Sequence, residues 1–186
     1  MTDVRVENII ASFTLAPSLD LAKLAAILPD TNYNPDEVSA LVLQFIKPRS
    51  VVTLFSTGTV FVTGPKNMDE ISDIIKMLND RLTVVGVQCE KTPEVFVQNI
   101  TVSTELHRTV DLQFLAKSLQ NTEYDPKQFP GLVYKGDDPN TVILLFNSGK
   151  IVCNGTRLEE ITVALDKMME KLLSFGIRTE ENVCQK

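Results

Sequence analysis

The sequence predicts an α+β protein built from two pseudo-symmetric repeats, and three observations predict it. The chain of 186 residues reads nearly the same twice, at a spacing of 91 residues (99 minus 8) through most of each copy. Within each copy, β-branched and aromatic runs are separated by turns rich in glycine and proline. Each copy then closes on a long stretch whose apolar residues recur at helical spacing.

The repeat is carried by Asn8-Ile9 and Asn99-Ile100, Asp20-Leu21 and Asp111-Leu112, and Tyr33-Asn34-Pro35 and Tyr124-Asp125-Pro126. It continues through Pro48 and Pro139, Leu54-Phe55 and Leu145-Phe146, Gly58 and Gly149, and Gly64 and Gly155. About a third of positions from 8 to 64 are identical in the second copy. Past Gly64 the offset falls by one, so that Ile71 meets Ile161 and Gly86 meets Gly176. A unit of this length exceeds the roughly 20 to 50 residues of a solenoid repeat, so each copy is a small domain. The expected division is 1–91 and 92–186, the second copy ending in a short polar tail.

In order along the chain, each copy starts with a strand, residues 6–15 and 95–106. An amphipathic helix follows, residues 19–28 and 110–119. After a Tyr-x-Pro turn come three strands forming an antiparallel meander, at 41–45, 51–55 and 60–63. Their counterparts lie at 132–134, 142–146 and 151–153, with Gly149 in a hairpin turn. A long helix closes each copy. Met68, Ile71, Ile74, Ile75, Leu78, Leu82 and Val85 fall on one face, after Asn67 and Glu70 at capping-box spacing. Leu158, Ile161, Leu165, Met168 and Leu172 repeat the stripe after Thr156 and Glu159. With both helices on one side of the sheet, the other sheet face is left open for a ligand.

Composition narrows the function. The apolar share of 44% is ordinary for a globular protein. No run approaches the 18 apolar residues of a membrane span, and the N-terminus lacks a signal-peptide pattern, so an intracellular protein without membrane association is expected. Three cysteines (Cys89, Cys153, Cys184) without ligand spacing predict free thiols and no metal. The single histidine, His107, has no nucleophile beside it, and Gly149-Lys150 lacks the rest of a phosphate loop. The chain is therefore expected to be no enzyme and to carry no cofactor. A net charge of −6 opposes nucleic acid at first sight. The acids, however, gather at Asp69-Glu70, Asp73, Glu159-Glu160 and Glu180-Glu181, on the helices and the tail, leaving the strands far less acidic.

Several motifs carry a resemblance: Lys47-Pro48-Arg49, Phe55-Ser56-Thr57-Gly58, Thr63-Gly64-Pro65-Lys66, Phe129-Pro130-Gly131-Leu132-Val133-Tyr134 and Phe146-Asn147-Ser148-Gly149-Lys150. Together with the duplication, over residues 6–177, they resemble the core of the TATA-box-binding protein family. The resemblance implies a saddle: two pseudo-symmetric repeats joined in a curved antiparallel sheet, with the helices on the convex face. It further implies minor-groove binding, in which phenylalanines wedge into base steps and kink the duplex. That mechanism is the family's own, carried over here.

Residue by residue, the resemblance implies that Asn8 and Asn99 donate to the acceptors of A·T pairs, which look alike in either orientation. In the second copy Phe129 and Phe146 match the wedges and Leu144 and Val152 the apolar groove contacts. Lys135, Lys150 and Arg157 stand at phosphate-binding positions. Thr101 and Asn154 are mild departures from the usual valine and threonine. In the first copy Phe55 matches a wedge, Ile10 a groove contact, Thr63 a hydroxyl of the floor and Lys66 a phosphate-facing base. Val38, however, stands at the other wedge, Glu37 and Gln44 replace arginines, Thr59 replaces a lysine, and Thr53 and Phe61 alter groove positions. DNA is therefore expected to be gripped mainly by the second copy. Around Asp125, Lys127 and Gln128 the resemblance implies docking of a factor-B-like protein, with Lys127 reversing a family charge.

The function implied is a general transcription initiation factor that binds TATA-like double-stranded promoter DNA, bends it, and recruits a factor-B-like protein and RNA polymerase. The alternative is a divergent paralogue acting as a protein-interaction module. Pairing of free chains into a homodimer is left open. The location implied is the nucleus in a eukaryote, or the cytoplasm and nucleoid in an archaeon.

Overall fold

The computed structural model describes residues 4–136 and 140–177. Pro139, Glu180-Glu181, Cys184 and the polar tail lie outside the described residues. Two compact units result. One is Asn8–Gln98; the other runs from Asn99 onward and takes in the residues up to Glu7. The boundary falls beyond residue 91 because the connecting segment packs back on the first unit: Glu90 N–H donates to Leu15 O (2.7 Å), and Asn79 Nδ2 donates to Glu90 O (3.2 Å).

The first unit contains β1 (Arg5–Thr14), α1 (Leu21–Ile27), β2 (Thr31–Tyr33), β3 (Ala40–Phe45), β4 (Ser50–Phe55), β5 (Thr59–Thr63) and α2 (Met68–Val84). Its strands lie in the order β2-β3-β4-β5-β1, antiparallel, with Ile10 opposite Thr63 and Thr53 opposite Phe61. The second unit repeats the series with β6 (Phe96–Glu105), α3 (Leu112–Ser118), β7 (Thr122–Glu123), β8 (Leu132–Lys135), β9 (Val142–Leu145), β10 (Lys150–Gly155) and α4 (Leu158–Ser174). Its order is β6-β10-β9-β8-β7. The α+β class and the duplication are as the sequence predicts. Two short strands, β2 and β7, form where only a turn is expected.

α1, α2 and α3 each start where a side chain replaces the missing backbone partner. Asp20 accepts from Lys23 N–H (3.0 Å), and Asp111 accepts from Gln113 and Phe114 N–H (2.9 and 3.0 Å). These caps start α1 and α3 later than the apolar pattern alone suggests. At α2 the first half of the expected capping box forms, Glu70 N–H donating to Asn67 Oδ1 (2.9 Å), while the Glu70 carboxylate accepts from Lys66 N–H (2.8 Å) and from the Asn67 side-chain amide (3.5 Å). At α4 it does not. Arg157 occupies the N-cap and makes no side-chain cap bond, so Thr156 does not play the part of Asn67.

Alternation along the strands divides each sheet into two faces. Leu41, Leu43, Val52, Leu54, Val60 and Val62 are buried in the first unit, as are Leu132, Ile143, Leu145, Ile151 and Cys153 in the second. The long helices cover these faces. Arg81 of α2 lies over the Phe45 ring at 4.8 Å, and Lys171 of α4 over the Tyr134 ring at 5.0 Å. Ile71, Ile74, Ile75, Leu78 and Leu82 of α2 are buried, but Met68 at its start is exposed, as is Leu158 at the start of α4. No helix among the described residues is long and apolar enough to cross a membrane.

Candidate nucleic-acid interface

Residues of the opposite parity form the uncovered face of each sheet. In the first unit these are Asn8 and Ile10 of β1, Val42 and Gln44 of β3, Val51, Thr53 and Phe55 of β4, and Thr59, Phe61 and Thr63 of β5, all half-buried or exposed. In the second they are Asn99 and Thr101 of β6, Val133 and Lys135 of β8, Val142 and Leu144 of β9 with Phe146 just past it, and Lys150, Val152 and Asn154 of β10. Charge lies mostly at the rims. Glu105 stands opposite Lys150 across the β6–β10 ladder, and Glu123 accepts from Lys135 Nζ at 2.6 Å. Between the rims the faces are apolar, hydroxyl and amide surface, except beside Val152, where Ser103 Oγ donates to the Glu7 carboxylate (2.5 Å).

The amides are oriented by hydrogen bonds within the sheet. Asn8 Oδ1 accepts from Gly64 N–H (2.6 Å) and from Thr63 Oγ1 (3.2 Å), which commits its oxygen and leaves the amide N–H groups as the outward end. The second unit is wired differently: Asn99, the counterpart of Asn8, spends an amide N–H within the sheet, and Asn154 is the residue whose oxygen is committed. Asn99 Nδ2 donates to Thr101 Oγ1 (3.1 Å), and Thr101 Oγ1 donates to Asn154 Oδ1 (2.7 Å). Thr101 and Asn154, two departures from the family pattern, are thus partners opposite each other in the ladder. Ile10 and Thr63 occupy the matching pair of positions in the first unit. Val152 lies opposite Leu144, forming the apolar strip beside the amides.

The aromatic residues are held at strand ends by two tight hairpins. Gly58 N–H donates to Phe55 O (3.0 Å) and Gly149 N–H to Phe146 O (2.9 Å). Both glycines have positive φ (80° and 88°), and a Cβ would fall 1.6 Å from Ala16 O or 2.1 Å from Arg108 O. Only glycine fits there. Phe129 follows a turn in which Asp125 O accepts from both Gln128 and Phe129 N–H (3.0 and 2.9 Å). Its ring meets that of Phe146 edge-on, with centroids 5.9 Å apart, and remains 38% exposed. The same turn recurs before Val38, where Asn34 O accepts from Glu37 and Val38 N–H (3.2 and 2.9 Å). The first unit therefore puts a valine, 59% exposed, where the second puts a phenylalanine.

Phe55 is nonetheless not alone. Its ring meets Phe61 edge-on at 5.9 Å, and Phe61 is 39% exposed. The sequence marks Phe61 only as a change at a groove-lining position. What it misses is that residues 55 and 61, flanking a hairpin, come together on one sheet face.

The basic residues differ in how they are held. Lys135 is engaged by Glu123, and Arg157 Nη1 lies 3.6 Å from Glu160 Oε1. Lys150 and Lys66 are exposed, the backbone N–H of Lys66 donating to Glu70 Oε2 (2.8 Å). In the turn before Phe129, Asp125 Oδ1 accepts from Lys127 N–H (3.0 Å), and Asp125, Lys127 and Gln128 are all exposed. Cys153 points to the buried face, where loss of solvent pushes its thiol up to about 12; Cys89 is also pushed up by burial. Neither belongs to the open surface.

Together these observations define a duplicated α+β protein with an uncovered sheet face in each unit. A family model described as "Transcription factor TFIID (or TATA-binding protein, TBP)" matches residues 3–84 and again 94–175. A TATA-box-binding protein of Thermococcus sibiricus is 39% identical over 180 residues, 96% of this chain and 97% of the relative. One from Pyrobaculum calidifontis is 41% identical over 174 residues, 93% of this chain and 87% of the relative. Among solved structures, Methanococcus jannaschii TBP aligns with a TM-score of 0.85 and 32% identity, covering 92% of this chain and 98% of that one. The chain belongs to the TATA-box-binding protein family, a family of non-enzymatic transcription factors.

Proposed function

We propose that the chain binds A·T-rich promoter duplex through the open sheet faces, in the minor groove, and kinks it with exposed phenylalanines. The observation that carries this is the floor itself: apolar and hydroxyl surface on which Asn8 and Asn154, their oxygens committed, keep amide N–H groups for a ligand, with the Glu7 carboxylate tied to Ser103 and aromatic rings exposed beside them. Amide donors suit the A·T minor groove, which offers only acceptors, whereas a G·C pair puts an amino group there. Phe129 and Phe146 supply apolar edges for insertion between bases. Unstacking costs a few kcal/mol per step and is offset by the larger surface that bent DNA wraps. Lys66, Lys135, Lys150 and Arg157 take phosphates, Lys135 exchanging Glu123 for the backbone as it does so.

A factor-B-like protein docks at the exposed turn of Asp125, Lys127 and Gln128, and through it RNA polymerase is recruited. Lys127 gives that contact a different charge pattern from the family's, so its partner carries an acidic group opposite. The apolar floor also gives free chains a surface on which to pair as homodimers, released when DNA binds. A gel-shift titration of an A·T-rich duplex against a G·C-rich one of equal length tests the DNA reading: selective binding of the A·T duplex supports it, and equal affinities refute it.

A further inference from the structure

We infer that the first unit has rebuilt its wedge in a different place: Phe61 of β5, with Phe55, forms the pair that unstacks DNA, and Val38 takes no part. This rests on the minor-groove reading above. In the second unit the pair comes from the turn before β8 and the end of β9, as Phe129 with Phe146, rings 5.9 Å apart at 66°. In the first unit a pair of the same geometry, 5.9 Å and 76°, joins the end of β4 to β5. The more exposed ring of each pair is open to the same degree, 38% for Phe129 and 39% for Phe61. An edge-on partner restricts a ring's rotation and keeps its free edge pointing outward. Phe61 lies opposite Thr53 and Ser12, among uncharged neighbours, so nothing on the sheet repels an approaching base.

Val38, 59% exposed, lacks the length to reach between bases. A valine at position 61, by contrast, is what the second unit carries in the matching place, Val152. Two changes against the second copy, valine for phenylalanine at 38 and phenylalanine for valine at 61, therefore leave the aromatic count equal. The kinking pair has moved from the β3 side of β4 to its β5 side.

The test uses the full chain and an A·T-rich duplex carrying 2-aminopurine at successive steps, whose fluorescence rises on unstacking. Wild type is expected to brighten two separate steps. Phe61→Val should silence one, leave the other, and weaken binding about fivefold or more, the scale of a lost base–aromatic contact. Phe129→Ala should silence the opposite step, and Val38→Ala should change neither. Phe61→Leu, which keeps apolar bulk, serves as a second variant, with an unchanged thermal melt as the check on folding. Two bright steps and unaltered affinity in Phe61→Val, or loss of a step in Val38→Ala, would overturn the assignment alone. A wild-type chain that leaves every step stacked would overturn it together with the minor-groove reading.

Discussion

Phe146 illustrates how one residue collects its role from several levels of structure. Its place at a strand end comes from sequence alternation, its fixed backbone from the Gly149 hairpin, and its orientation from the Phe129 ring. Removing either ring of that pair is expected to weaken A·T duplex binding by about fivefold to a hundredfold and to reduce the bend. Bend-sensitive gel shifts of Phe129→Ala and Phe146→Ala measure both. At the opposite face Cys153 makes a separate prediction. Its folded pKa, about 12, lies above the ordinary 9.0, so the unfolded chain loses the proton first. The stability this contributes is intact below pH 9 and is lost as pH climbs toward 12, at about 1.4 kcal/mol per unit. Urea titrations at pH 8 and 10.5 should therefore show a steeper loss for wild type than for Cys153→Ala. The motifs around the candidate site residues were legible in the sequence because they are specific. Phe61 was not, because a substitution seen one position at a time does not reveal which ring it will touch across a hairpin.

The elements follow local rules closely enough that their exceptions carry information. α2 has a side-chain cap in Asn67, and Asn67→Ala should cost about 1 kcal/mol, read from the shift in a thermal or urea melt. α4 starts instead on Arg157, a cationic side chain at the positive end of a helix dipole with no cap bond. Arg157→Ser should stabilise the fold by about 0.5 to 1 kcal/mol while weakening DNA binding, the signature of a residue kept for a ligand and not for the helix. A substitution that stabilises without touching affinity would contradict that role. Strands of alternating burial and helices with an apolar stripe were readable from the sequence in both copies. β2 and β7, of three and two residues, were not, because a period of two needs more residues than that to register. The later starts of α1 and α3 come from Asp20 and Asp111, whose capping outweighs the apolar residues just ahead of them.

At the scale of the whole molecule, a chain of net charge −6 binds a polyanion only if its charges are sorted. Acids such as Asp69, Glu70, Glu159 and Glu160 sit in the first turns of α2 and α4, Glu123 is paired with Lys135 at the rim of the open face, and Glu7 is held by Ser103. With four phosphate contacts the affinity should fall with salt at a log–log slope of about −3.6. Glu123→Gln frees Lys135 from its ion pair, so it should raise affinity at low salt and leave the limiting slope near that value. The duplication, the layer order and the open face were all present in the sequence. Which charges are already paired was not, since Glu123 and Lys135 meet only once β7 lies against β8. The most direct measurement is the end-to-end distance of a doubly labelled duplex by energy transfer, with an A·T core and with a G·C core. A shortened A·T duplex at protein concentrations that leave the G·C duplex free and straight is the predicted result. Two duplexes bound alike, or an A·T duplex bound at its unbent length, would contradict the proposal that the sheet faces hold a kinked minor groove.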